Sequence, residues 1–515
     1  MSNTQTVKGP LRIRLKYAGL MVFSLKVFSI VTGSIFTFIV VRKLSSGEFG
    51  LWQTIGALMT YFILPSRVFT YWLIRDEARG LPAAKTGLLI NIILAFFSFT
   101  LFIPIALHMA AEVHADLLPF LMFSFQILLI YVVSSLEAMG QATRPQAIGY
   151  GTGVFELAKL ILCVVLVLVF KYGLVGVITS VTLAYLIQIL VLTLILGSSL
   201  STHFNFNLLK KWITLIWIPL YWELSGAFYP LTFLVLALLT KSTLPVALMS
   251  APAIISNVVP HTSFLAAGLY PRLLSRGGRE DVEEAFKLVS MFAIPITTGI
   301  IILARPLLQL LRPEYVIAAP ILGVLAIRSL LKTIGGIAEN TLLGVEKIEL
   351  DEKSKLKDYI KSKHFFLPTL TSINSLLSIL LLISFLVLYA TSAKAKYEWL
   401  IFTYLFVDLV VIKVPMHLYV WTLVGKTLSF RFPKLSIIRY LASAAAMSLL
   451  LMVLHALGVP NAGKSLIESF LALLFTISLG FAVYVLTLLA IDKEARRLTT
   501  LIKKEVTKLL SYEAI

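Results

Sequence analysis

Cysteine is almost absent: the chain of 515 residues has one, Cys163, inside an apolar run. A disulfide framework and a metal site built on cysteines are thereby excluded. Charge is scarce as well, at 14% of residues, against about 25% in soluble globular domains. Acid is scarcer than base, with 26 Asp and Glu against 45 Lys and Arg and a formal net charge of +19. Neither HExxH nor CxxC occurs, and no soluble nucleotide-binding unit is expected. No phosphate loop of the GxxxxGKS or GxxxxGKT type and hence no intrinsic ATPase is expected, so energy for any transport work is expected to come from an ion gradient or from the concentration of cargo. No metal and no cofactor is expected beyond a coupling ion, for which H+ and Na+ are the candidates.

What is present is apolar sequence, 58% of the chain. It falls into fourteen runs of spanning length: 17–41, 51–73, 86–110, 117–136, 151–170, 174–196, 212–239, 244–268, 288–311, 316–336, 365–390, 399–424, 435–457 and 467–491. About 20 apolar residues cross a bilayer as a helix, and in lipid only helices or closed barrels satisfy their own backbone. An all-α polytopic membrane protein follows. The first run has polar residues before it and no small-residue cleavage site, so it reads as an anchor.

The basic residues sort by side. With the N-terminus inside, inner segments hold 29 Lys and Arg and outer loops hold 8. That bias places both termini in the cytoplasm of a plasma-membrane protein. It also accounts for the positive charge without nucleic acid, which is not an expected partner. The outer loops have nine residues or fewer, too short for an exofacial catalytic domain, and no enzyme is expected. The link 337–364 is highly charged, and the tail 492–515 is basic enough to meet anionic lipid.

Punctuation recurs along the chain. Pro104 and Pro306 are 202 residues apart, Pro119 and Pro320 are 201 apart, and Glu137 and Glu339 are 202 apart. A near-constant offset suggests two halves of six helices running the same way, a transporter architecture. The expected division is an N-terminal lobe at 1–197, a second lobe at 198–424, two further helices at 425–491, and the tail.

Charges inside the barrier are the functional candidates, since each costs about 2.5–3.5 kcal/mol to insert. Eight are basic (Lys26, Arg67, Lys159, Arg305, Arg328, Lys332, Lys413, Arg439) and three acidic (Glu156, Glu223, Asp408). Glu156 and Lys159 are three apart and expected to pair. Arg67, Arg305 and Arg439 lie near helix ends and can snorkel. Lys26 shares a helical face with Ser29, Gly33 and Thr37. Arg328 and Lys332 share another with Gly335 and Glu339, and Lys413 is four residues before His417. Thr371, Asn374, Ser375 and Ser378 make a polar stripe. The cationic excess points to an anionic cargo, because Arg and Lys match phosphate oxygens. Glu223 and Asp408 are candidate proton or sodium sites, or else neutralise a buried cation.

Several stretches resemble a known family. They are "VVRKLSSGEFGLWQTI" (Val40 to Ile55, with Arg42, Leu44, Phe49, Gly50 and Trp52), "LEAMGQATRP", "AAGLYPRLLSRGG", "ARPLLQLLRPEYVIAAPILGVLAIRSLL" and "ENTLLGVEK". Together they resemble the polysaccharide-export flippases for lipid-linked oligosaccharides, within the multidrug/oligosaccharidyl-lipid/polysaccharide exporter superfamily. The resemblance implies two six-helix lobes around a central cavity plus two C-terminal helices. It implies alternating access that moves a polyprenyl- or dolichyl-(pyro)phosphate-linked oligosaccharide outward, by a monomer among membrane lipids. Basic cavity residues on helices 1, 2 and 8 of relatives would correspond here to Lys26, Arg67 and, in place of a basic residue, His261. With Arg328, Lys332 and Lys413 they make up the expected cationic site. Sodium held between helices 7, 11 and 12 of some relatives would correspond to Glu223, Asn374 and Asp408. The alternative is an ion-coupled exporter of drugs or small organic ions in the same superfamily.

Overall fold

The computed structural model describes residues 15–197, 203–266, 278–346, 360–390, 396–458 and 465–497, together with 269, 273 and 500. Residues 347–359 of the charged link at 337–364 and most of the tail at 492–515 lie outside the described residues. Among the described residues every regular element is helical. Seventeen α-helices follow in chain order: α1 (Leu15–Lys43), α2 (Ser46–Ala78), α3 (Ala84–Glu112), α4 (Leu117–Thr143), α5 (Pro145–Cys163), α6 (Gly173–Leu196), α7 (Phe206–Thr214), α8 (Trp217–Thr240), α9 (Leu244–Ser256), α10 (Arg279–Ile302), α11 (Ala304–Leu311), α12 (Ala319–Gly344), α13 (Lys363–Ala390), α14 (Tyr397–Val407), α15 (Val414–Leu428), α16 (Lys434–Ala456) and α17 (Leu466–Ile491). Two of them continue in π-helical turns: α5 into Val164–Val169, and α14 into Asp408–Lys413 before α15.

Among the described residues thirteen helices are long and apolar enough to cross a membrane, and they coincide with the second to the fourteenth apolar runs. The first run lies within the 29-residue α1. The expectation of an all-helical, many-spanning chain therefore holds.

Three expected boundaries change. The run at 212–239 divides into the short α7 and α8, with a break at Leu215 and Ile216. The run at 288–311 breaks at Leu303, so Arg305 and Pro306 sit on the separate α11, whereas α3 is continuous through Pro104. The helix expected to end at Gly336 runs on to Gly344 as α12, because Ile337, Ala338, Thr341 and Leu342 continue its buried face. Glu137 and Glu339 accordingly both lie within helices.

The chain forms two compact units, Met1–Leu234 and Val235–Ile515. The division falls inside α8, so the first unit takes most of that helix. In the first unit α2, α3, α4, α5 and α6 pack around Leu73, Leu136, Met139 and Leu192, and α7 adds Leu208 and Trp212. Local capping fixes the first turn. Glu48 N–H donates to Ser45 Oγ (3.2 Å) and Ser45 N–H to Glu48 Oε2 (2.8 Å), a reciprocal cap of α2. The other carboxylate oxygen of Glu48 accepts from Leu174 N–H at 3.4 Å and ties this turn to the start of α6. Gly173 there has φ +53°, and a Cβ would come 2.9 Å from Glu48 Oε1, so only glycine fits.

In the second unit α16 and α17 pack on α10 through Met291, Met447, Leu451 and Tyr484. Tyr484 OH donates to the Met291 carbonyl at 2.6 Å. A smaller cluster joins α12, α13 and α15 through Leu342, Leu367 and Val424. Large apolar side chains stand exposed on many helices, among them Leu194 at 77% and Leu449 at 66%, a surface suited to acyl chains rather than water.

Candidate functional site

The densest group of polar side chains inside the spanning helices lies in the second unit, around Asp408. It begins with a backbone irregularity. In an α-helix, residues five apart point about 140° away from one another. The i→i+5 bonding of a π turn brings them onto one face. The segment Asp408–Lys413 is such a turn, and it puts Lys413 Nζ 3.9 Å from Asp408 Oδ1. Asn374 and Ser378, four apart on α13, face the same spot, as i, i+4 residues do. Ser378 Oγ donates to Asp408 Oδ1 at 2.5 Å and accepts from Lys413 Nζ at 2.8 Å. Lys413 Nζ also donates to Asn374 Oδ1. Asn374 Nδ2 donates to the Ile412 carbonyl at 3.4 Å, inside the π turn. From α12, Arg328 NH1 stands 3.1 Å from Asp408 Oδ2. Asp408 is fully buried, and Arg328 keeps 19% of its side chain exposed.

His417, one turn beyond Lys413, lies on the polar side of α15 against α12. Its Nδ1 is buried without a hydrogen-bond partner among the described residues. A Cβ on Gly335 would come 2.3 Å from that atom, so glycine at 335 is what lets the imidazole pack there. Two cations thus share one carboxylate, with a histidine beside them. The arrangement is suited to holding charge within the membrane.

The first unit holds two other groups. Arg67 on α2 pairs with Glu223 on α8 at 3.3 Å, with 55% and 30% of their side chains exposed. Tyr61 OH, also on α2, donates to the Ala227 carbonyl at 2.6 Å. Glu156 and Lys159 on α5 pair at 2.8 Å, as their spacing predicts. Lys159 also lies over the rings of Phe36 (4.8 Å) and Phe155 (4.9 Å). Thr32 on α1 donates to Glu156 Oε2 at 3.4 Å.

Of the sequence candidates, the structure brings Arg328, Asn374, Asp408 and Lys413 together. Glu223 is instead the partner of Arg67, a residue expected either to snorkel or to line the cationic cavity. Lys332 is exposed, one turn from Arg328 on α12. His261 sits on a 3-10 turn (Val259–Ala266), exposed and stacked on Phe264 at 5.9 Å. Lys26 is on α1, but its side chain lies outside the described residues. Arg439 pairs with the buried Asp492 at 3.3 Å.

Sequence reasoning passed over the group around Asp76, at the end of α2. This carboxylate is fully buried and accepts from Lys211 Nζ and Trp212 Nε1, both at 2.8 Å, which pins α7 to α2. Nothing in the local pattern announces it, since Asp76 reads as one more loop charge. The expectation of no intrinsic ATPase supposed that no phosphate-loop spacing occurs, but the sequence has one, Gly458 to Gly463-Lys464-Ser465. Residues 459–464 lie outside the described residues, but the flanking elements are the spanning helices α16 and α17. A phosphate loop follows a strand, and Ser465 here caps α17 with Glu468.

No family model and no curated relative matches the chain. Solved structures do match in shape. The lipid II flippase MurJ, in an inward closed conformation, aligns over 92% of this chain and 98% of its own, with a TM-score of 0.57 and 14% identity. An inward-facing multidrug resistance MATE family transporter of the MOP superfamily aligns over 79% and 99%, with a TM-score of 0.55 and 13% identity. A eukaryotic MATE transporter aligns over 78% and 94%, with a TM-score of 0.50 and 15% identity. The chain is a multi-pass membrane protein with the fold that these transporters and this flippase share.

Proposed function

We propose that the protein is a flippase of the MOP type. Its cargo is a polyprenyl- or dolichyl-(pyro)phosphate-linked oligosaccharide, carried outward by alternating access through a cationic cavity. The carrying observation is the imbalance of charge inside the barrier. Eight basic residues stand against three deep acids within the apolar runs, with Glu468 a fourth acid at the edge of the last run. Arg67, Lys159 and Arg439 each have an acid partner, and the local excess that supports the reading is that of Arg328 and Lys413 on the single carboxylate of Asp408. A cationic, partly desolvated path favours an anion with phosphate oxygens. The likeness to a lipid II flippase along 92% of the chain supports a lipid-linked cargo. A drug exporter for organic cations would be better served by acid. Both termini are assigned to the cytoplasm of a plasma-membrane protein by the bias of Lys and Arg. Arg67, Lys26, Lys332 and His261 are assigned with Arg328 and Lys413 to the cargo path, and a monomer among membrane lipids is the working unit.

The test is a sidedness assay in sealed vesicles. Purified protein is reconstituted with a lipid-pyrophosphate-linked oligosaccharide, and an added glycosidase reports how fast the sugar reaches the far leaflet. Protein-dependent appearance that falls in Lys26→Ala and Arg328→Ala, with insertion unchanged, supports the proposal. No appearance with or without a proton or sodium gradient, together with uptake of organic ions by the same vesicles, overturns it. Formation of a new glycosidic bond overturns it too.

A further inference from the structure

Lys413 has more oxygen around its ammonium than an ion pair requires. Asn374 Oδ1 and Ser378 Oγ accept from it, and Asp408 Oδ1 stands 3.9 Å away. An amide carbonyl, a hydroxyl and a carboxylate converge on one point from two helical segments. Their residues are nearly sealed, at 7%, 4% and 0% exposure. Hard oxygen donors including one anion are what an unpolarisable cation takes. Two of the three donors are also held from behind. Asn374 is tied to the Ile412 carbonyl through Nδ2, and Asp408 Oδ2 is held by Arg328. Such bracing preorganises a ligand set.

The sodium ion that the family resemblance implies at these helices does not fit beside Lys413. The ammonium already takes the Asn374 and Ser378 oxygens, and Arg328 takes the second carboxylate oxygen. A free ion would be a third positive charge on one carboxylate. Glu223, the remaining candidate ligand, belongs to the ion pair with Arg67.

We propose that this oxygen set is an alkali-cation site that the chain fills with its own Lys413 ammonium. The protein then binds no free monovalent cation there, and removal of the Lys413 side chain opens the site to Na+ or K+. A tethered ammonium never dissociates, so the charge balance around Asp408 stays fixed where a free ion would make it depend on concentration. The proposal rests on the ligand chemistry alone and stands or falls apart from the identity of the cargo.

Purified wild-type protein and Lys413→Ala are compared in detergent, in choline chloride, with NaCl or KCl titrated in at constant ionic strength. Melting temperature and bound radioactive sodium are read. The wild type is expected to bind no ion saturably and to keep its melting temperature. Lys413→Ala is expected to melt lower in choline, to regain several degrees saturably with Na+ or K+, and to bind one ion per chain. Adding Asp408→Asn is expected to abolish that binding. Saturable sodium binding by the wild type overturns the proposal, as does folded Lys413→Ala that responds no more to Na+ or K+ than to choline. If Lys413→Ala does not fold in choline, its folded yield becomes the measurement. Recovery in NaCl or KCl supports the site, and failure in all three salts overturns it.

Discussion

Asp76 offers a test in which the two halves of one ion pair are predicted to behave unequally. Lys211 Nζ and Trp212 Nε1 each donate to it at 2.8 Å, and Arg79 stands off at 3.8 Å. The carboxylate is fully buried, whereas Lys211 keeps 37% of its side chain exposed and Arg79 keeps 59%. What a mutation costs depends on which group it strands. Lys211→Met leaves a sealed carboxylate with one neutral donor and a distant guanidinium. Breaking a buried pair costs about 3–5 kcal/mol, and Arg79 swinging inward should bring this case to about 3 kcal/mol. Asp76→Asn strands only Lys211, which can turn into water, and the new amide oxygen still accepts from Trp212. The loss is then about 1.5 kcal/mol, that of one charge-assisted hydrogen bond. The assay is unfolding in detergent followed by tryptophan fluorescence. Trp212 and Trp72 are natural reporters, since Lys211 Nζ lies 6.0 Å from the Trp72 ring. Lys211→Met should be the less stable variant by about tenfold in the folding constant, and the double variant should recover most of the loss. Equal stability, or a worse Asp76→Asn, would refute the stranded-charge reasoning.

Two further predictions concern packing and capping. Gly335→Ala should destabilise the α12–α15 contact by about 1–3 kcal/mol, because its Cβ would meet His417 Nδ1 at 2.3 Å; His417→Ala should suppress that loss in a thermal unfolding assay. Glu77→Ala should fray the first turn of α3, since Glu77 Oε2 accepts from both Ala83 N–H and Ala84 N–H at 2.8 Å. The expected loss is about 1 kcal/mol, visible as faster hydrogen exchange confined to residues 84–88.

The helices were legible in the sequence because a bilayer-length apolar run has few alternatives. Their breaks were not. Pro219 and Pro306 stand in the first turn of the helix after each break, where proline is tolerated, but α3 runs unbroken through Pro104, so a proline by itself does not mark a break. The π turn at Asp408–Lys413 has Pro415 just beyond it as a sequence mark, but what the turn brings together shows only in the side-chain geometry. Pairing followed sequence distance. Glu156 with Lys159 could be read from spacing on one helix. Arg67 with Glu223, Arg328 with Asp408, and Asp76 with Lys211 join helices far apart in the chain, where no periodicity carries information. The polar stripe through Asn374 and Ser378 was visible, but what it faces was not.

The order in which these charges leave the ribosome gives the Asp408 group a bearing on biogenesis. The π turn between α14 and α15 carries Asp408 and Lys413 five residues apart, so that spanning segment can enter the membrane with its own charge pair closed. Helix α12 has no such provision for Arg328, whose carboxylate is synthesised 80 residues later. Until then the guanidinium has to be tolerated by lipid, water or the insertion machinery. The second unit is therefore expected to complete its membrane assembly late, when α14 and α15 arrive, and chains truncated before Asp408 should leave α12 open to quality-control proteases.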